Sequence, residues 1–176
     1  MNLLPVILIP LTFGVQSQEK KPAFSFNGQP YFHRYSKGHL HEFTPKGQYD
    51  LQKFGDMVTI NRYPSAKDGA ALAAAANSVL EAYRSNGAKV LKTSSAPRTE
   101  KKPAEHLIVV VFGRPNFIEA SFARFLMVNG AGSSVVYSHR IYGAKVGDAM
   151  SKWLGKGGDQ AEKALMSFPT TVISSR

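Results

Sequence analysis

The sequence predicts an α+β fold: an antiparallel β-sheet flanked by helices. Residues 105–142 hold three strand-like runs joined only by short turn signals, a central three-stranded meander. A parallel crossover needs a dozen or more residues, so links this short make the runs antiparallel neighbours. Residues 69–85 form an alanine-rich stretch in which Leu72, Ala76, Val79, Leu80 and Tyr83 make one apolar stripe at helical spacing. The composition, 43% hydrophobic and 19% charged over 176 residues, belongs to a chain that can bury a core rather than to a disordered one.

From the N-terminus, residues 1–17 read as a secretory signal peptide. The apolar stretch Leu3 to Val15 is short and broken by proline, which argues against a membrane-spanning helix. Val15-Gln16-Ser17 sets up cleavage before Gln18, leaving 18–176 as one exported α+β domain, periplasmic or secreted, with no transmembrane segment. Phe24 and Phe26 lead into Asn27-Gly28, the strongest short hairpin signal. Tyr31–Tyr35 and Leu40–Thr44 form a second candidate pair of strands. Residues 48–54 are expected as a short helical turn, and Met57–Tyr63 as a strand with Val58 and Ile60 inward, ended by Pro64.

Asp68 is placed to cap the 69–85 helix, and Gly87 to end it. Lys89–Thr93 reads as a strand, and residues 94–105 as a polar loop. In the meander, Leu107–Phe112 is apolar at successive positions, as in a strand covered on both faces. Along 117–128 the two-residue period puts Ile118, Ala120, Phe122, Leu126 and Val128 on one face, interrupted by Arg124. Along 133–142 it puts Val135, Tyr137, His139 and Ile141 on one face. Residues 146–154 make an apolar helical face that includes the lone tryptophan, Trp153, expected in packing. Gly155-Lys156-Gly157-Gly158 is expected to break that helix. A second helix then starts at Asp159 with Glu162 as a capping box, and Pro169 ends it.

For function, the formal net charge of +10 attracts anionic surfaces. The absence of cysteine removes disulfides and thiolate chemistry. Arg114, Arg124 and Arg140, with Tyr137, are candidates to hold a carboxylate or phosphate, since guanidinium forks match those groups bidentately. The structural alternative pairs Arg124 with Glu119 or Glu105. His39 and His41, two apart on a strand, point to one face and with His33 form a candidate metal set. His106 and His139, with Ser121, Ser134 and Ser138 nearby in the meander, make a hydrolytic Ser/His pair conceivable, but no nucleophile-elbow motif accompanies them. No Walker or dinucleotide-binding motif is present and no cofactor is implied. No zinc knuckle, stacking-aromatic motif or basic recognition helix points to sequence-specific nucleic-acid reading.

The order of elements, carried by MVTINRYP, DGAALAAAANSVLEAYRSNGAKVL, the 105–142 meander and VGDAMSKWL, resembles the domain shared by PsbP-like, Mog1-like and DcrB-like proteins. The resemblance spans roughly Met57 to Leu154 and is one of pattern. It implies an antiparallel sheet flanked by helices and an assembly, stabilising or binding role rather than an enzymatic one. It transfers no functional residue. The expectation is therefore an exported, non-enzymatic accessory or ligand-binding module whose partner is a protein or an anionic envelope component. The alternative is a small secreted hydrolase or metal-dependent enzyme using the N-terminal histidines.

Overall fold

A computed structural model describes residues 21–96, 99–100 and 102–176. The expected signal peptide lies outside the described residues. Eight strands form one sheet in the order β1-β2-β3-β4-β8-β7-β6-β5. They are β1 (Phe24–Phe26), β2 (Gln29–Lys37), β3 (Leu40–Pro45), β4 (Asp56–Tyr63), β5 (Ala88–Ala96), β6 (Glu105–Arg114), β7 (Phe117–Val128) and β8 (Ala131–Tyr142). Every pairing is antiparallel. The mixed α+β, antiparallel class is therefore observed.

The turns follow from residues that accept positive φ. Asn27 and Gly28 (φ 48° and 77°) join β1 to β2, and Asn129 and Gly130 (φ 50° and 71°) join β7 to β8. With both central residues left-handed, such turns match the twist of the strands they connect. The 48–54 segment holds one turn, Lys53 N–H donating to Asp50 O at 3.0 Å, and no helix. Gln48 Oε1 accepts the backbone N–H groups of Gly55 and Asp56, Asp50 Oδ1 accepts that of Gln52, and Phe54 is buried. Side-chain acceptors take the neighbouring amides, so the turn does not propagate into a helix. β5 runs three residues beyond the expected strand, through Ser94-Ser95-Ala96, because β6 supplies partners as far as Glu105.

Helix α1 (Gly69–Ser85) starts where the Asp68 carboxylate accepts the Ala71 N–H at 2.8 Å. Its Leu72 and Ala76 pack on Ile108, Val110, Ala123 and Phe125, on one face of β6 and β7. The other face carries α2 (Gly147–Trp153), α3 (Asp159–Met166) and α4 (Thr170–Ser174). Its core joins Phe26, Phe43, Val58 and Ile60 to Leu107, Phe122, Val135, Met150, Leu165 and Ile173.

Two expectations need correction here. The glycine run 155–158 does not break the chain's helix. It is a wide π-helical stretch, Leu154–Gly158, and Leu154, Gly158 and Asp159 all keep right-handed helical angles. Asp159 accordingly makes no capping bond. Burial of Met150 before the run and of Ala161 and Leu165 after it outweighs the poor helix propensity of glycine. Pro169 follows the end of α3 at Met166, as expected, and stands just before a last short helix, α4, whose Ile173 is fully buried.

Gly132 in β8 sits against the segment entering α1. A Cβ there would stand 2.8 Å from Ala66 Cβ and 3.3 Å from Leu72 Cδ1, and its N–H donates to Ala66 O at 2.7 Å. Gly132→Ala should therefore destabilise by about 1–3 kcal/mol, the usual cost of overpacking. A urea midpoint equal to that of the parent would show that this approach is not a constraint.

Candidate binding cleft and polar clusters

The alternation along β7 and β8 decides where each candidate side chain goes. Arg124 faces the C-terminal helices and Arg140 faces the α1 side, paired across the strands with Glu119. Arg124 Nε bonds Glu105 Oε1, and its Nη1 donates to Leu165 O at 3.1 Å and Phe168 O at 3.2 Å. Its Nη2 makes no hydrogen bond among the described residues. Arg140 Nε donates to Glu119 Oε2 at 2.6 Å, with the guanidinium stacked between Phe54 and Phe117, 3.8 and 4.4 Å from their ring centres. Arg114 is exposed and donates to Asn86 O at 3.1 Å. The sheet thus separates these arginines rather than converging them.

Tyr137 faces the C-terminal helices, and its hydroxyl donates to Asp56 Oδ1 at 2.7 Å. The same oxygen accepts from His139 Nδ1 at 2.9 Å, and the His139 ring stacks on Trp153 at 4.1 Å. Trp153 is thus packed against both Tyr137 and His139. Asp56 is the residue that sequence reasoning missed. It begins β4 and is brought opposite His139 only by the β4–β8 register. Burial alone would raise its carboxyl, but hydrogen bonds from His139 and Tyr137 outweigh burial and hold it below the usual aspartate range. Burial, reinforced by the Asp56 charge, pushes the Tyr137 and Tyr31 phenols well above the usual tyrosine range.

His106 lies on the opposite face from His139. Its Nδ1 is 2.9 Å from Ser95 Oγ, and burial lowers its pKa despite the opposing Glu105. Ser121 and Ser138 bond each other at 2.9 Å, and Ser134 bonds the Tyr63 hydroxyl at 3.1 Å. None of these serines hydrogen-bonds a histidine among the described residues.

On the N-terminal strands, His33 and His41 both contact the Ser36 hydroxyl, while His39 sits exposed at the β2–β3 turn. Burial, with smaller contributions from His33, Arg176 and His39, lowers the pKa of His41. Among the described residues no group of three His, Asp or Glu gathers as a metal site.

A concave feature lies where residues 102–104 pass the ends of β6 and β7. A cleft of about 580 Å³ opens there between Ala96, Pro103, Ala104, Leu126, Met127 and Met166, with Thr99, Lys102, Glu105, Arg124 and Thr170 supplying polar atoms. A smaller hollow of about 330 Å³ lies on the α1 side of the same segment, beside Lys67 and Asp68. Clefts of roughly 300–1,000 Å³ with mostly apolar walls and a few polar groups are the usual form of small-ligand sites.

The depressed Asp56 value fixes a pH dependence. Its contribution to stability is complete above the unfolded-state value of about 3.9 and is lost as pH falls through the lower folded value. Urea midpoints measured from about pH 7 down to about pH 3 should fall more steeply for the parent than for Asp56→Asn below about pH 4. Parallel decline of both proteins would show that the carboxylate contributes nothing.

No family model matches the chain, and none of the curated proteins compared with it does. Among solved structures, the Pseudomonas aeruginosa protein of unknown function PA94 is similar over 77% of this chain and 87% of its own, at 16% identity and a TM-score of 0.47. Human STARD10 is similar over 79% of this chain and 74% of its own, at 9% identity and a TM-score of 0.32. Neither likeness bears on function.

Proposed function

We propose that this chain is an exported, non-enzymatic accessory module that binds an amphipathic anion in the cleft beside Arg124. One observation carries the proposal: a cleft of ligand size has an apolar wall of Leu126, Met127 and Met166 next to two cationic groups, Lys102 and an Arg124 whose Nε is taken by the Glu105 carboxylate at the cleft's edge. The apolar body of a ligand would displace water from that wall. Its acid group would meet the Arg124 Nη2 and the Lys102 ammonium. Of the arginine and tyrosine candidates, Arg124 is the one that lines this cleft. Arg140 is held by Glu119 and two rings, and Tyr137 by Asp56. The +10 net charge supports an anionic partner through long-range attraction. The resemblance to PsbP-like, Mog1-like and DcrB-like domains agrees with a binding role. The apolar residues 3–15 support export. Among the described residues no helix is long and apolar enough to cross a membrane.

A second reading, hydrolysis by activated water, has one observation in its favour. The Asp56 carboxylate orients His139 through Nδ1, and Nε2 makes no hydrogen bond among the described residues. The stacking of that ring on Trp153 and the absence of a hydroxyl bonded to it favour the binding module.

Titration with 1-anilinonaphthalene-8-sulfonate, a sulfonate on apolar rings, tests the cleft. The probe should bind saturably and more weakly as salt rises. Met166→Glu and Lys102→Glu should each reduce affinity by about tenfold, the equivalent of 1.4 kcal/mol. Leu91→Glu, on the exposed β5 edge, should leave binding unchanged. Equal affinity in all variants would place the probe elsewhere and remove the cleft from the account. Turnover of a p-nitrophenyl ester that disappears in His139→Gln would establish the hydrolytic reading instead.

A further inference from the structure

Two imidazoles on neighbouring strands aim at a single point. His33 Nε2 lies 2.6 Å from Ser36 Oγ, and His41 Nδ1 lies 2.7 Å from the same oxygen. The cause is local. The β2–β3 register is regular up to His33↔Phe43, shifts between His33 and Tyr35, and resumes at Tyr35↔Glu42, which sets Ser36 directly opposite His41. The extra residue of this bulge turns His33 onto the face that Ser36 and His41 share. The two rings stand 6.4 Å apart, tilted by 50°. His33 and Ser36 are exposed and His41 is half-buried, so the point where the nitrogens converge is open to solvent. A hydroxyl donates one proton and accepts on two lone pairs, so Ser36 can take an N–H from one ring and donate to the other. The arrangement is therefore satisfied as it stands. It also brings two imidazole nitrogens to one place, and the ring that holds its proton there can carry it on its other nitrogen, which leaves both free to ligate.

We propose that His33 and His41 are paired ligands for a divalent transition cation of the zinc, nickel and copper class, with the Ser36 hydroxyl standing where the ion binds. Zinc–imidazole bonds are about 2.0–2.1 Å, so each nitrogen, now 2.6 or 2.7 Å from that point, closes by about 0.6 Å as the Ser36 side chain rotates away. Water completes the coordination from the open side. Nitrogen donors select this class over magnesium and calcium, which take oxygen. His39 is not a member of the pair. Its carbonyl accepts the Arg62 N–H at 3.0 Å, which ties the turn to β4, and its ring is exposed. The site shares no residue with the cleft, so it stands or falls independently of the proposed function.

Calorimetric titration of the full chain with zinc chloride, with magnesium chloride as control, tests it. Zinc should bind and magnesium should not. His33→Gln and His41→Gln should each weaken the zinc event by about tenfold or more. Glutamine can still hydrogen-bond Ser36, so melting temperatures without zinc should change little in both variants. Ser36→Ala and His39→Ala should retain zinc binding. Zinc affinity that is unaffected in both glutamine variants, or lost in Ser36→Ala as fully as in them, would overturn the site and leave a purely structural relay.

Discussion

The helix-bearing side of the sheet depends on one long-range pairing, β4 against β8. The register runs from Asp56↔His139 to Tyr63↔Gly132. Without it, β1–β4 and β5–β8 are two separate antiparallel sets, each with an exposed apolar face. With it, the faces merge, and α2 to α4 close over a core drawn from both sets: Phe26, Phe43 and Val58 from one, Leu107, Phe122 and Val135 from the other. The close passage at Gly132 and Ala66 belongs to the same junction. So does the Asp56 cluster, since Tyr137 and His139 have no carboxylate until β4 is in place. Pairing residues this far apart carries a loop-closure cost that is recovered only when the shared core forms.

Arginine then fixes the helices to the sheet. Arg124 interrupts an otherwise apolar row, and burying it alone would be expensive. Glu105 neutralises it, and the Leu165 and Phe168 carbonyls, near the end of α3 where helical partners run out, receive its Nη1. Arg62 acts similarly further along, donating to Ile173 O at 3.3 Å and Val128 O at 3.5 Å. Removing one partner of such a group leaves a stranded charge, which costs more than the intact pair contributes.

Local chemistry was legible where it is self-contained. Asp68 caps α1, Asn27-Gly28 and Asn129-Gly130 turn their hairpins, and the two-residue period sorts the side chains of β7 and β8 onto their faces. Legibility stopped where a distant element decides the outcome. Glycines 155, 157 and 158 carry a strong breaking signal, yet burial on both sides holds the helix through them. Arg114, Arg124 and Arg140 are close in sequence, but alternation and Glu119, Glu105 and Asn86 dispose of them separately. Neither Asp56 nor Ser36 carries any signal of its own. The first needs the β4–β8 register, and the second needs a bulge. The cleft was equally silent, because its walls come from β5, β6, β7, α3, α4 and the residues 99 and 102–104 before β6.

The division of cationic labour bears on what kind of recognition this surface can perform. Arg124 and Arg140 are largely committed to internal bonds. Beside the two hollows, the cations other than Arg124 are lysines, Lys67 and Lys102. A lysine ammonium is a hydrated point charge on a flexible stem, screened beyond about 8–10 Å at ordinary ionic strength. Such charges draw anions in without fixing their orientation. In the proposed function, selection among anions therefore falls to the rigid parts: the guanidinium of Arg124, locked by Glu105, and the shape of the Leu126, Met127 and Met166 wall. The bond that attaches α3 to the sheet thus also sets the geometry of the cleft, and loosening the helical layer would degrade recognition before it unfolded the protein.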